Sequence, residues 1–154
     1  MIDPHVVVVD PADTHLIEQL PALERAARAA LIDQRGGGPW LVEHPEVADR
    51  WRQRAAEADV LAAMIDDVVV GYMVAIDDAP DGVEPILRID QVWVTPEARE
   101  LGFGDELLAL AMERGRARGM AAVEGQALPG DRHTKNLYER AGIVARLITT
   151  YRPL

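Results

Sequence analysis

Residues 92–104, Val92-Trp93-Val94-Thr95-Pro96-Glu97-Ala98-Arg99-Glu100-Leu101-Gly102-Phe103-Gly104, are the stretch of this chain with the most chemistry in it. An apolar run ends at Thr95-Pro96, a loop with two glycines follows, and a helical pattern opens directly from Asp105. The first turn of a helix has backbone N–H groups without intrahelical acceptors, and the dipole places about half a unit of positive charge there. Glycines at 102 and 104 allow that backbone to approach an anion closely. Taken alone, the segment is either a cradle for a pyrophosphate or a tight turn before a helix.

Composition narrows what such a site can serve. The 154 residues suit one domain, 1–154, with one core. No apolar run approaches the roughly 20 residues that cross a bilayer. No basic segment precedes an apolar stretch at the start, so a cytoplasmic location is expected. The absence of cysteine excludes disulfides, thiolate catalysis and cysteine-ligated zinc, and the four histidines show no ligand spacing, so no metal is expected. The net charge of -10 argues against nucleic acid, whose binding rests on phosphate neutralisation. That charge is uneven: residues 1–85 hold 6 Arg against 17 Asp and Glu, while residues 86–154 hold 10 Lys and Arg against 9. The second half is the better host for an anionic cofactor and the first for a cationic substrate, unless the acidic excess serves solubility alone.

The elements that must position the loop follow from periodicity. Residues 5–9 read as a short strand. Over 12–32, Leu16, Ile17, Leu20, Leu23, Ala27 and Leu31 share a helical face, with Pro21 as a kink or a restart. Residues 36–39 are a Gly-rich loop and 45–57 a second helix opened by proline. Residues 60–65 and 68–76 form a hairpin across Asp66-Asp67, and 85–94 a third long strand. A helix over 105–118 presents Leu107, Leu108, Ala111 and Gly115 on one face; a strand over 120–128, a helix over 134–141 and a last strand over 143–151 complete the chain. The order is β-α-α-β-β-β-α-β-α-β, an α/β (α+β) arrangement. Within it, 85–94, 105–118 and 120–128 make a β-α-β unit with parallel strands and a right-handed crossover.

Arg-x-x-Gly-x-Gly at 99–104, after a strand ending in Val-x-Pro, resembles the acyl-CoA loop of the GNAT superfamily of N-acetyltransferases. Downstream, Asn136-Leu137-Tyr138-Glu139-Arg140-Ala141-Gly142-Ile143 is similar to that family's Leu-Tyr-x-x-x-Gly-Phe segment, and Asp131 falls where many members carry Asn. The resemblance spans nearly the whole chain. It implies a mixed central sheet flanked by helices on both faces. It departs from the family in acidic Glu100, Asp105 and Glu106 at the loop, in Ile143 for Phe, and in having room for one strand after the last helix where many members have a hairpin. One place in the sheet is then empty or filled by a partner subunit, since an exposed edge invites pairing; a homodimer through the C-terminal strand is the expectation.

The resemblance further implies acetyl-CoA as acyl donor, without a metal, and direct transfer to an amine acceptor. Its pyrophosphate would rest on the amides of Leu101, Gly102, Phe103, Gly104 and Asp105, with Arg99 and Glu100 at the loop entry and Asp131 and Asn136 nearby. The pantetheine arm would lie along Val92, Trp93 and Val94, where a backbone N–H polarises the thioester carbonyl. Tyr138 matches the position that donates a proton to the leaving thiolate; packing under the helix is its other reading. For the base, Asp90, Glu124 and His133 are candidates beside solvent. Arg88 shares a strand face with Asp90, so an Arg88–Asp90 ion pair is the simpler account of both. Trp40 either stacks on a substrate or packs in the core, while Trp93 and Tyr72 read as core. The alternatives to an acetyltransferase are an acyl-CoA-binding regulatory module on the same fold and a plain structural domain.

Overall fold

The structure is a computed structural model that describes residues 1–154. Its frame is a five-stranded sheet in sequential order: β1 (Pro4–Val8), β2 (Asp59–Ile65), β3 (Val68–Asp78), β4 (Ile86–Val94) and β5 (Ala122–Gly125). β1 to β4 are antiparallel neighbours, whereas β4 and β5 run parallel. The parallel pair is joined by α5 (Phe103–Ala117), as the β-α-β reading requires. The remaining helices are α1 (Thr14–Ile17), α2 (Leu20–Leu31), α3 (Gly37–Glu43), α4 (Trp51–Glu57) and α6 (Arg132–Arg140).

Both faces of the sheet are covered, which is why β2 and β3 are apolar without a break. On one face, Val60, Ala62, Met64, Tyr72 and Val74 meet Leu16, Leu20 and Leu23 of the first helices and Trp51 of α4. On the other, Leu61, Ala63, Met73, Leu87 and Ile89 meet Phe103, Leu107, Leu108 and Ala111 of α5 and Leu137 and Tyr138 of α6.

One irregularity matters for the site. The β3–β4 register passes from Val74↔Gln91 to Ala75↔Ile89, so Asp90 has no partner and forms a β-bulge. An extra residue exchanges the two faces of the strand beyond it. Leu87 and Ile89 therefore share the α5 face with Val92 and Val94.

Of the two readings of Pro21, the restart holds, with the proline at the head of α2. Four other features differ from the expectation. The Gly-rich stretch opens α3; a Cβ at Gly37 would collide with the carbonyl oxygen of Leu31, so glycine alone lets α3 seat against the end of α2. Pro45 opens no helix, and α4 begins only at Trp51. β5 holds four residues. Residues 143–151 form no strand, so the chain ends on α6 and an exposed tail rather than on a sixth β element. Their β-branched composition is suited to a strand, but a strand needs a ladder, and past Ile143 the tail is exposed, with an Arg146–Glu124 ion pair of 3.0 Å to β5.

Candidate active site

β4 and β5 stay paired only from Ile86↔Ala122 to Ile89↔Gly125. β5 then stops while β4 continues through Asp90 to Val94, and the sheet opens into a wedge. A cavity of about 230 Å³ fills it, bounded by β4, Tyr72 of β3, the α2–α3 helices and the chain from Gln126 to Tyr138.

Tyr138 enters this wedge from α6. Its ring lies so close to Gly125 that a Cβ there would come within 2.5 Å of the hydroxyl, so glycine at 125 is what admits it. The side chain is nearly buried, yet it borders the cavity. Burial, reinforced by the charge of Asp131, pushes its phenol above the ordinary value of 10, and the group keeps its proton at neutral pH. Asp131 itself caps α6, accepting from the Thr134 amide at 3.2 Å and the Thr134 hydroxyl at 2.7 Å. Asn136 sits on the exposed side of α6, away from the cavity lining, and His133 is likewise at the surface.

The base candidates separate. Asp90, on the bulge, borders the cavity and makes no ion pair. The Arg88–Asp90 pair does not form, because the bulge turns the two side chains apart; Arg88 meets Asp78 at 2.6 Å and Glu124 at 3.6 Å instead. Glu124 is tied to Arg88 and Arg146 and is not part of the cavity lining.

Beside Asp90 runs a chain of hydrogen bonds that sequence reasoning missed. The Tyr72 hydroxyl donates to Gln91 Oε1 at 2.7 Å, and Gln91 Nε2 donates to Glu24 Oε2 at 3.2 Å. Glu24, fully buried, also accepts from the amides of Val47 and Ala48, both at 3.0 Å. Burial and the Glu24 charge hold the Tyr72 phenol above its ordinary value, so its proton stays on the bond to Gln91. The signal was present: Glu24 lies on the buried stripe of Leu20, Leu23 and Ala27, where a charge needs partners. Trp40 is half-buried on the cavity wall, stacked on His44 with centroids 3.9 Å apart.

The loop at 99–104 lies at the far end of β4. Arg99 Nε donates to the Val94 carbonyl at 3.0 Å and its guanidinium covers the Trp93 ring at 4.6 Å, so this arginine braces the loop. Glu100 and Gly102 take positive φ, 71° and 83°, and turn the chain into α5. The amides of Glu100, Leu101, Gly102, Phe103, Gly104 and Asp105 donate to no protein acceptor; Glu106 is the first residue to bond back, to the Gly102 carbonyl. Six consecutive free amides at a helix N-terminus fit a pyrophosphate. Asp105 turns aside to Arg140, whose Nη2 lies 3.0 Å away.

Comparison with known proteins bears on the fold and the family. Among solved structures, an aminoglycoside acetyltransferase, meta-AAC0020, from an uncultured soil metagenomic sample superposes with a TM-score of 0.75 at 15% identity, over 98% of this chain and 96% of that one. AAC(6')-Iy in complex with the bisubstrate analogue CoA-S-monomethyl-acetylneamine gives 0.69 at 18% identity, over 99% of both chains. A ribosomal-protein-alanine N-acetyltransferase from Brucella melitensis gives 0.69 at 15%, also over 99% of both. At such identities the likeness is one of fold. The sequence matches no curated protein. The model of the Acetyltransferase (GNAT) family matches residues 21–143, which contain the free amides, the bulge at Asp90 and Tyr138; the chain belongs to that family of acyltransferases.

Proposed function

We propose that this protein moves an acetyl group from acetyl-CoA directly to a primary amine, and that the wedge between β4 and β5 is where it does so. The single observation that carries the reading is the row of six free amides from Glu100 to Asp105, which fits the pyrophosphate of CoA and has no protein acceptor. The chain from that row to the cavity along Val94, Trp93 and Val92 is the path for the pantetheine arm, and an N–H of this β4 segment would polarise the thioester carbonyl.

Bound acetyl-CoA supplies the acyl group and a thiolate as leaving group. Asp90 receives the incoming amine and takes its proton as the new C–N bond forms. Tyr138, held protonated, donates a hydrogen bond to the sulfur as the C–S bond breaks, stabilising a group whose thiol ionises near ~8.5. The Gln91–Glu24 chain fixes the Tyr72 hydroxyl so that its lone pairs, not its proton, face the cavity. A second copy of the chain against the exposed tail belongs to the same reading.

The test is product formation on a panel of primary amines by the wild type and by Tyr138→Phe. The reading expects turnover in the wild type and a loss of about 100-fold in kcat in the variant, with acetyl-CoA affinity unchanged. Equal rates in both would assign Tyr138 to packing. Binding of acetyl-CoA with no turnover on any amine would make the protein an acyl-CoA-binding module.

A further inference from the structure

The acidic excess of the first half does not reach the cavity. Of its 17 acidic residues only Glu43 borders the cavity, whereas Arg28, Arg54 and His44 from the same half all do. Arg28 is committed: its Nη1 and Nη2 donate to the carbonyls of His44 at 2.6 Å and Leu41 at 3.1 Å, closing the end of α3. Arg54 is not. It lies on α4, is half-buried at the cavity wall, and its guanidinium makes neither a hydrogen bond nor an ion pair. Asp90 on β4, also without a partner, borders the same cavity. Two half-buried, unpaired opposite charges thus share a space of about 230 Å³ without meeting each other; the other carboxylates at its edge are Glu43, which is exposed, and Asp131, which caps α6.

Leaving a half-buried guanidinium and a half-buried carboxylate both unpaired costs solvation energy, which a ligand carrying the complementary charges recovers. Resting on the acetyltransferase reading, we propose that the acceptor is an amino acid, with its amine at Asp90 and its carboxylate on the fork of Arg54. One free guanidinium matches a single negative charge, and the cavity has the size of one small zwitterion. A polycation would leave the Arg54 guanidinium without a partner.

The test compares each of the twenty amino acids with its own methyl ester as acceptor, alongside spermidine and kanamycin, by mass spectrometry of the N-acetyl product. The ester has the less basic amine, so more of it is free at neutral pH, and intrinsic reactivity works against the expected result. The wild type is expected to use at least one amino acid with kcat/KM about tenfold or more above its ester. Arg54→Gln should abolish that ratio by raising KM for the acid, Arg54→Lys should restore part of it, and both variants should keep the wild-type rise in melting temperature with acetyl-CoA. Esters used as well as acids, spermidine or kanamycin preferred, a ratio that survives Arg54→Gln, or no product from any amino acid while acetyl-CoA binds would each overturn the inference alone. Failure of acetyl-CoA to bind would overturn the acetyltransferase reading along with it.

Discussion

Tyr138 and Asp90 border the same cavity, and the proposed reaction makes the first a donor and the second an acceptor. Burial and Asp131 both favour the neutral phenol of Tyr138. Its folded value lies above 10, so no loss of rate from its ionisation is expected up to about pH 10, and a pH–kcat profile checks this. Asp90 makes no ion pair, since Arg88 is engaged by Asp78 and Glu124. Asp90→Asn keeps the shape and removes the proton acceptor; kcat is expected to fall about 100-fold at neutral pH. The companion change Glu124→Gln should leave kcat within about threefold, since its carboxylate is spent on Arg88 and Arg146. Equal losses in the two variants would place the base elsewhere.

At the level of elements, the turn into α5 carries strain next to the proposed cradle. Glu100 holds φ at 71° without being glycine, at a cost of about 1 kcal/mol, and sets a negative charge beside the free amides. Glu100→Gly removes both effects. Stability should rise by up to about 1 kcal/mol, and acetyl-CoA should bind about threefold more tightly, the worth of one exposed unit charge at several ångströms. Calorimetry on the two proteins measures both; weaker binding by the variant would mean that Glu100 contributes to the site. This loop was legible in the sequence because glycine spacing and a helix start are local signals. The bulge was not. Ile89-Asp90-Gln91 contains no glycine or proline to announce an extra residue, so a strict two-residue period placed Asp90 beside Arg88. Residues 143–151 misled for the opposite reason: local composition favours a strand, but only a neighbouring edge makes one. Glu24 went unread despite its place on a buried stripe, because its partners Val47, Ala48 and Gln91 come from distant chain.

Across the whole molecule, two features bear on stability and assembly. Asp59 of β2 joins Arg114 and Arg118 of α5 at 3.0 and 2.8 Å, fastening the helix that carries the cradle to the sheet. Burial raises its carboxyl value, but the two arginines outweigh burial and the net shift is downward from 3.8. The stabilisation is therefore fully present above that pH and is lost as pH falls through the lower folded value. Asp59→Asn should cost about 2 kcal/mol at pH 7 and progressively less below pH 4, as denaturant melts across pH would show. In the tail, Val144, Leu147, Ile148 and Tyr151 are exposed, and the outer edge of β5 pairs with no strand. Light scattering is expected to return twice the chain mass, and a monomer at working concentration would reject the dimer. No helix is long and apolar enough to cross a membrane.

The free amides at the head of α5 support the rest of the account, and the melting temperature tests them most directly. Acetyl-CoA at a hundredfold excess over its Kd should raise it by about 5 °C or more, whereas S-acetylpantetheine, with the same thioester and no pyrophosphate, should leave it nearly unchanged. No shift with millimolar acetyl-CoA, or equal shifts with the two compounds, would contradict the cradle.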